Sequence, residues 1–385
     1  MYVNSKIFIT LFLAVFVTTI GAGIVAPLLP VYAHELGAGA FQIGLILGAF
    51  SLTRSIFVPF FGKLSDQKGR KPFLTTGLFI CFFIALLYTA SKSIESLILI
   101  RLGQGFASAM ILPVAQAYIG TITPPRKEGQ LMGLFNISIY GGLSIGPLLG
   151  GIVKDWFNIQ VSFLSMAALT LIGFFLCLFL LPPEKGKRKR IPDGSIKSIS
   201  YLELLKIPKV FSLFIFLTSF IACVGIVWTF LPLLAGTKLN FSSSAIGILV
   251  TINVFISALF QLPMGYLADR FNKKKLVAAG GVIAAISILF INATPSFGGI
   301  ALANGFLGLA GGISFPSIMA LGVIEGRKAE AMGSLMGFLA LAHSIGMLAG
   351  PLLAGIFIDL FSFDATLILG SVIVSLGTLT FLRNY

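Results

Sequence analysis

The sequence predicts an all-α integral membrane protein with twelve transmembrane helices, arranged as two six-helix bundles that are related by a parallel repeat. Of the 385 residues, 57% are hydrophobic and 10% are charged, and the mean hydropathy is +1.02. Soluble domains carry about 25% charged residues, so this chain folded in water would lack polar surface to cover its apolar core. The apolar residues fall in runs near the 20 residues that a spanning helix needs, and the second half repeats landmarks of the first. A soluble enzyme, a fibrous protein and a disordered chain are excluded.

Charged residues or Gly, Pro and Asn bound each apolar run. The first run is too long for the core of a signal peptide and lacks a convincing cleavage site, so we expect it to be retained as span 1. The predicted spans 1 to 12 are 7–33, 41–61, 73–90, 96–119, 130–153, 161–181, 210–235, 244–264, 276–293, 297–323, 331–358 and 365–382.

The Lys and Arg residues predict the orientation of these spans. When alternate loops are placed on opposite sides, one side collects 22 of the 27 basic residues and both termini, and the other receives Lys92, Lys154 and Lys238. We call them the basic side and the opposite side. By the positive-inside rule the basic side faces the cytoplasm of a multi-pass protein of the plasma (inner) membrane. Because the basic residues lie in short clusters between spans, the net charge of +14 does not predict nucleic-acid binding.

The longest polar stretch divides the chain into two halves. We predict an N-terminal bundle over 1–181, a cytoplasmic linker over 182–209 and a C-terminal bundle over 210–385. The linker contains a basic cluster from Lys185 to Arg190 that we expect to face water and lipid headgroups, with a specific anionic-lipid or partner site as the alternative. The cysteines, Cys81, Cys177 and Cys223, lie inside apolar runs and have neither disulfide nor metal spacing, so we expect them to be packing residues.

An internal repeat relates the halves at an offset of 203–204 residues. Two parallel repeats around an axis along the membrane normal place a substrate cavity between the halves, reached by rocking one bundle against the other. The pattern therefore indicates translocation. The repeated landmarks are Gly62–Asp66 with Gly265–Asp269, Pro113 with Pro316, Gly146–Gly151 with Gly350–Gly355, and Asp155 with Asp359.

Three motifs carry a resemblance to a known family. The loop Gly62-x-Leu64-x-Asp66-x-x-Gly69-Arg70-Lys71 resembles the signature loop of the major facilitator superfamily, and with the span count and the repeat the resemblance covers essentially the whole chain. The span-5 pattern resembles the motif of that family's drug/proton antiporters, and span 11 repeats it with Ala354 as one departure. Arg101-Leu102-Gly103-Gln104-Gly105 resembles a third motif that the family links to proton coupling. The span-5 motif comprises Gly133, Gly142, Gly146, Pro147, Gly150 and Gly151, and span 11 has Gly337, Gly346, Gly350, Pro351 and Gly355.

Elementary chemistry suggests what these motifs do. In the loop, Gly62 and Gly69 supply backbone freedom, and Asp66 pairs with Arg70 or approaches a helix N-terminus, which would hold the basic side shut. The alternative is an orientation signal with ordinary turn chemistry. Asn272 replaces the later glycine in the second half, which weakens the gating expectation for Asp269.

The glycines of span 5 leave a groove in which another helix backbone approaches closely, and Pro147 permits a bend. The resemblance implies that this segment seals the cavity during efflux. Generic small-residue packing is the alternative.

Ionisable residues inside spans are candidates for coupling or substrate contact, because a charge at mid-bilayer costs at least about 2.5–3.5 kcal/mol. Arg54 and Arg101 are such residues, with structural hydrogen bonding as the alternative role, and the family geometry brings Arg54 near His343. His343 is either a proton carrier, since a histidine side chain can titrate near neutral pH, or a packed residue. No Asp or Glu lies well inside a span, which leaves Asp66, His343 or Glu35 as proton carriers. The further cavity candidates, each a ligand contact or a packing residue, are Gln116, Asn136, Tyr140, Trp228, Asn253 and Asn304.

The resemblance implies a secondary active transporter of the multidrug-efflux type, which exports small, largely apolar compounds by proton antiport with alternating access. The alternative is a carrier of an organic anion, a sugar-like metabolite or a lipid that uses Arg54. An intramembrane enzyme would need a cluster of His, Asp, Glu or a nucleophile, and no such cluster or nucleotide-binding loop is present, so we expect neither an enzyme nor a cofactor or metal. The expected partners are the substrate, protons and membrane lipids, and the expected state is a monomer.

Overall fold

The computed structural model describes residues 5–123, 128–182, 201–329 and 332–385. Within these ranges every regular element is helical, and twelve helical segments are long and apolar enough to cross a membrane. The predicted fold class and span count are confirmed. In chain order the helices of spans 1 to 12 are Ser5–Val25 with Leu28–Glu35, Ala40–Lys68, Arg70–Ala90, Ile94–Ser108 with Leu112–Ile122, Glu128–Trp156, Ile159–Phe175 with a π-helical end Leu176–Leu180, Pro208–Thr237, Ser243–Arg270, Lys273–Ala293, Phe297–Lys328, Met332–Leu360 and Phe363–Asn384, and a short helix Tyr201–Leu205 precedes span 7.

Spans 1 and 4 are each built from two helices. The break in span 4 lies just before Pro113, whose ring nitrogen has no hydrogen to donate to the carbonyl of Ala109. Tighter bonds carry the backbone across the break, from Met110 N to Ala107 O at 3.0 Å and from Ile111 N to Ser108 O at 3.1 Å. Pro316, the counterpart of Pro113 in the repeat, lies inside one continuous helix.

The described chain packs as two compact units. Unit 1 comprises Met1–Lys185 and Thr229–Phe255, and unit 2 comprises Gly186–Trp228 and Ile256–Tyr385. The hairpin of spans 7 and 8 is therefore shared. Its tip, Thr229–Phe255, packs in unit 1, and the remainder of both helices packs in unit 2. The bundle boundaries 1–181 and 210–385 stay a prediction, and most of the linker, 183–200, lies outside the described residues.

The internal repeat is visible in how helices pack inside each unit. In unit 1, span 1 packs against span 5, and span 3 against spans 4 and 6. In unit 2, span 11 packs against span 7, and span 9 against spans 10 and 12. Each pair in unit 2 therefore consists of the spans that lie six positions later in the chain than those of the matching pair in unit 1.

Three buried threonine hydroxyls donate within their own helices, which lets these polar residues lie in an apolar core. Thr19, Thr170 and Thr378 donate to carbonyls four residues earlier at 2.7–2.8 Å. The three cysteines are buried and unpaired, in agreement with a packing role. Among the described residues no group of His, Cys, Asp and Glu could hold a metal ion.

Candidate functional site

The turn of the first motif is a single residue. The helix of span 2 runs on to Lys68, Gly69 has a φ of +90°, and span 3 begins at Arg70. Gly62 lies inside the span-2 helix, and a methyl group there would meet no atom within 4 Å. Backbone freedom is therefore needed at Gly69 and not at Gly62. The side chains of Asp66 and Asp269 lie outside the described residues, so gating by either stays a prediction.

The basic end of the same motif fastens span 3 to span 6. Lys71 Nζ donates to the carbonyl of Leu178 at 2.8 Å and also to the carbonyl of Leu181, where span 6 ends. Arg70 is 5% exposed, and its guanidinium lies 5.9 Å from the ring centre of Tyr118. Tyr118 in turn donates to the carbonyl of Pro182 at 3.2 Å. A cation at a helix C-terminus satisfies carbonyls that have no partner within the helix, which gives Lys71 a role that its position alone did not reveal.

The span-5 motif contacts two helices through two faces. On one face Gly142, Gly146 and Gly150 lie against span 1, where a methyl group at Gly146 would stand 2.5 Å from the carbonyl oxygen of Ile20. On the other face Gly151 lies against the first turn of span 8, with 2.7 Å between such a methyl and Ser244 Cα. The surroundings of Gly133 lie outside the described residues.

Span 11 repeats the first of these faces in unit 2. A methyl group at Gly346 would stand 2.6 Å from the carbonyl oxygen of Thr218, and Gly350 touches the backbone of Ala222 in span 7. A methyl group at Gly225 of span 7 would stand 3.1 Å from Pro351 Cδ. Glycine is therefore required in both halves at these backbone contacts, at Gly146 against span 1 and at Gly350 against span 7.

The opposite-side end of span 5 carries two charged side chains that reach neighbouring helices. Lys154 Nζ pairs with Glu35 Oε1 at 3.1 Å, at the end of span 1. Asp155 accepts backbone hydrogen bonds from Ser243 and Ser244, at the start of span 8. Deeper in unit 1, Thr251 donates to the carbonyl of Ser144 at 2.7 Å.

Two arginines of unit 1 share one phenyl ring. The guanidinium of Arg101 lies 4.6 Å from the ring centre of Phe50, and that of Arg54 lies 6.0 Å from it. Arg101 also donates to the carbonyl of Ile46 at 3.3 Å and to Gln104 Oε1 at 2.9 Å. Gln104 Oε1 accepts a further hydrogen bond from Tyr88 at 2.9 Å.

Arg54 differs from Arg101 in its partners. It is half-buried, and within the described part of the chain its guanidinium has the ring contact but neither a hydrogen bond nor a carboxylate partner. The backbones of spans 2 and 4 touch next to it, because a methyl group at Gly105 would stand 3.2 Å from the backbone nitrogen of Arg54. The third motif thus holds Arg101 in a network, while the guanidinium donors of Arg54 have no acceptor among the described residues.

The remaining cavity candidates are distributed over both units. Gln116, Asn136 and Tyr140 are half-buried in unit 1, where Asn253 is buried. Trp228 and His343 are half-buried in unit 2, where Asn304 is buried. Their roles in the cavity stay predictions.

A polar cluster at the basic side of unit 2 was not predicted. Glu325, at the end of span 10, is 7% exposed and accepts from Lys328 at 2.8 Å and from the hydroxyl of Tyr385 at 3.1 Å. Burial raises the pKa of the Tyr385 phenol, and the Glu325 carboxylate raises it further. Lys209 Nζ lies 5.4 Å from the centre of the same ring. The spacing of Glu325 and Lys328 was the available signal, because residues three apart are neighbours on a helix.

Comparison with known proteins places this architecture among transporters. The chain is 29% identical to an uncharacterised transporter of Methanocaldococcus jannaschii, over 91% of this chain and 90% of that protein. It is 26% identical to multidrug resistance protein 2 of Bacillus subtilis (93% and 90% covered) and 27% identical to the quinolone resistance protein NorA of Staphylococcus aureus (92% and 90%).

Solved structures give the same fold. A bacterial homologue of the human lysosomal transporter Spinster, in an inward-facing and unoccupied conformation, aligns with a TM-score of 0.85 at 14% identity, over 99% of this chain and 96% of that one. The human organic anion transporter MFSD10 aligns with a TM-score of 0.71 at 19% identity, over 99% and 100%. The sequence model of the Major Facilitator Superfamily matches residues 11–240 and 219–384. The chain therefore belongs to the major facilitator superfamily of membrane transporters.

Proposed function

We propose that this transporter exports small, largely apolar compounds in exchange for protons. The observation that carries the proposal is the span-5 motif, whose described members, Gly142 to Gly151, lie at backbone contacts with spans 1 and 8. Two relatives at 26–27% identity are named for multidrug and quinolone resistance, which supports an efflux function. The transporter is a monomer in the plasma membrane, and its basic side and both termini face the cytoplasm.

Glycine at these crossings allows a seal that is made of backbone rather than of long side chains. Helices that touch in this way exclude water and lipid from the contact, and they separate without moving bulky groups through each other. Alternating access needs such contacts to form and break in each cycle.

Proton exchange requires a group that takes up and releases protons as the cavity changes sides. The acidic residues of the described spans lie at their ends, as Glu35 and Asp155 do. The proposed carriers are therefore Asp66, His343 or Glu35. Arg101, held against Phe50 and Gln104, is the proposed coupling residue of the third motif.

Arg54 favours a second candidate function, the transport of organic anions. A guanidinium within a span is costly unless something compensates its charge, and among the described residues no carboxylate does so. An anionic group of the cargo would fill that role through two parallel hydrogen bonds.

Transport in inside-out vesicles with an acidic interior separates these candidates. The expected result for the first is uptake of lipophilic cationic dyes that depends on the pH gradient and is lost in Asp66→Asn, while the matched neighbour Gln67→Asn behaves as wild type. Uptake of organic anions alone, abolished by Arg54→Gln and weakened but not abolished by Arg54→Lys, which keeps the charge and loses the fork, would replace the first candidate with the second. Uptake no greater than that of empty vesicles for every compound would contradict both.

A further inference from the structure

The first turn of span 8 has backbone N–H groups that its own helix cannot bond. Ser242 accepts two of the hydrogen bonds of this turn. Its hydroxyl accepts from Ala245 N at 3.2 Å, and its carbonyl accepts from Ile246 N at 3.0 Å. The N–H groups of Ser243 and Ser244 are left without a local acceptor.

Asp155 supplies the missing acceptors from another helix. Its Oδ1 lies 2.9 Å from Ser243 N, and its Oδ2 lies 2.8 Å from Ser244 N, across 88 and 89 residues of sequence. A carboxylate in this position meets both the unbonded donors and the positive end of the helix dipole. Helix caps are normally supplied by the helix itself, so this one makes the first turn of span 8 depend on the last turn of span 5.

Closely fitted contacts continue from Asp155 along the same two helices. Gly151 lies against the backbone of Ser243 and Ser244, and Gly247 lies against the carbonyl group of Pro147. We call this line of contacts between spans 5 and 8, from Asp155 to Ser144, the strip. It ends where Thr251 donates to the carbonyl of Ser144. The two backbones touch here with few side chains between them, and Asp155 provides the charged contact at the outer end of the strip.

The position of the strip in the chain gives it a mechanical role. Span 8 is one unbroken helix from Ser243 to Arg270, yet its residues up to Phe255 pack in unit 1 and those from Ile256 pack in unit 2. The hairpin tip Thr229–Phe255 is therefore attached to unit 1 through non-covalent contacts alone, while its own helices continue into the other unit. Any change that carries the tip with unit 2 has to break the strip.

We propose that Asp155 is the latch of the hairpin tip: its two hydrogen bonds to the first turn of span 8 hold the tip on span 5 in one transport state and break in the other. Asp155 is a positioning residue, because it acts through span 8 and does not touch the cargo. The inference rests on the proposed function only in taking transport to require two such states.

The test compares Asp155→Ala with Asp155→Asn in a reporter variant. Ser144→Cys places a thiol on the strip, where the serine is 5% exposed, in a background whose three native cysteines are replaced by alanine. The readout is the rate at which a membrane-impermeant maleimide labels that thiol. Because removal of a helix cap shifts an equilibrium by about 5- to 30-fold, Asp155→Ala should raise the labelling rate by that factor.

Asparagine keeps one of the two acceptor oxygens of Asp155 and places an NH₂ donor where the other stood, so it retains only one of the two hydrogen bonds. Asp155→Asn should therefore raise the labelling rate less than Asp155→Ala does, whereas Lys154→Ala, which removes only the adjacent pair with Glu35, should label within about twofold of the parent. Thr251→Val keeps the shape and removes one bond of the strip, so it should raise labelling less than Asp155→Ala does. Equal labelling of all variants would overturn the latch, and so would a Lys154→Ala variant that behaves as the Asp155→Ala variant does.

Labelling also keeps this inference separate from the proposed cargo. It needs no substrate, so a failure of dye transport would contradict the proposed function and leave the latch intact. Under the latch, Asp155→Ala lowers the maximal transport rate of whatever cargo moves, and an unchanged rate together with unchanged labelling would overturn it.

Discussion

Gly69 is the residue at which the first motif depends on glycine. Its φ of +90° and ψ of 153° lie in a region that costs other residues about 1–3 kcal/mol. Gly69→Ala should therefore lower the free energy of unfolding by about that amount, as followed by thermal unfolding of the purified protein in detergent. Gly62→Ala is the matched control in the same motif and should be neutral or slightly stabilising, because alanine favours helix and meets no atom there. Equal losses in the two variants would contradict the assignment.

Arg101 and Arg54 share a ring but differ in hydrogen bonding, which predicts different costs for the same substitution. Arg101→Lys loses the planar fork that reaches Ile46 O and Gln104 Oε1 together, so we expect a loss of about 1–3 kcal/mol of stability. Arg54→Lys retains a cation beside Phe50 and should change stability by less than about 0.5 kcal/mol. Chemical denaturation of both variants measures the difference, and a larger loss at Arg54 would refute the comparison.

Residue identity predicts chemistry better than it predicts partners. The sequence singled out Arg101 because a charge within a span needs compensation, and the short spacing to Gln104 makes that bond accessible to sequence reasoning. Asp155 stood out only as a repeated landmark. Its partners lie 88 and 89 residues later, in a different helix, and no local pattern encodes that contact.

At the scale of elements, the crossing of spans 1 and 5 is the contact most dependent on small residues. Gly146→Ala would place a methyl group against the rigid backbone of Ile20 and should cost about 1–3 kcal/mol in thermal unfolding. Gly141→Ala is the control on the same helix, because its methyl group meets the Phe16 ring at 3.3 Å, and that side chain can move. Gly350→Ala should reproduce the loss in unit 2. If Gly146→Ala kept the stability of the parent and Gly141→Ala lowered it, the assignment of the contact between spans 1 and 5 would be wrong.

The helices could be predicted from the sequence because the apolar runs are long. The breaks inside the helices could not be predicted in this way. Pro113 interrupts span 4, but Pro316 at the equivalent place leaves span 10 continuous. A proline removes one donor in either case, and the neighbouring packing decides whether the helix bends or stops. Lys71 shows the same limit, since its partners at the end of span 6 are set by the packing of span 3 on span 6.

For the whole molecule, the charge distribution predicts which loops face the cytoplasm. Lys92 and Lys68 are both exposed and lie on opposite sides in the predicted orientation. In a background without native cysteines, Lys92→Cys should react with an impermeant maleimide in intact cells, and Lys68→Cys only after the membrane is opened. Reaction of Lys68→Cys in intact cells, with Lys92→Cys protected, would reverse the orientation.

Sequence symmetry predicted two bundles of six spans, and packing inside each unit follows that symmetry. The sharing of the spans 7 and 8 hairpin was not foreseen, because a repeat reports common descent and says nothing of which contacts are formed in one conformation. The span count and the orientation signal depend on composition, which a sequence states directly. The attachment of the hairpin tip depends on shape.

This division of the hairpin has a consequence for dissecting the protein. A gene cut within the linker yields two fragments of six spans each, yet the first fragment lacks Thr229–Phe255, which completes unit 1. Made without its companion, it would leave the backbone at Gly151 without the helix that it packs against, and the carboxylate of Asp155 without the two N–H groups from which it accepts. Reconstitution from halves should therefore require that both be synthesised together, because a cut placed after Phe255 would instead sever the continuous helix of span 8.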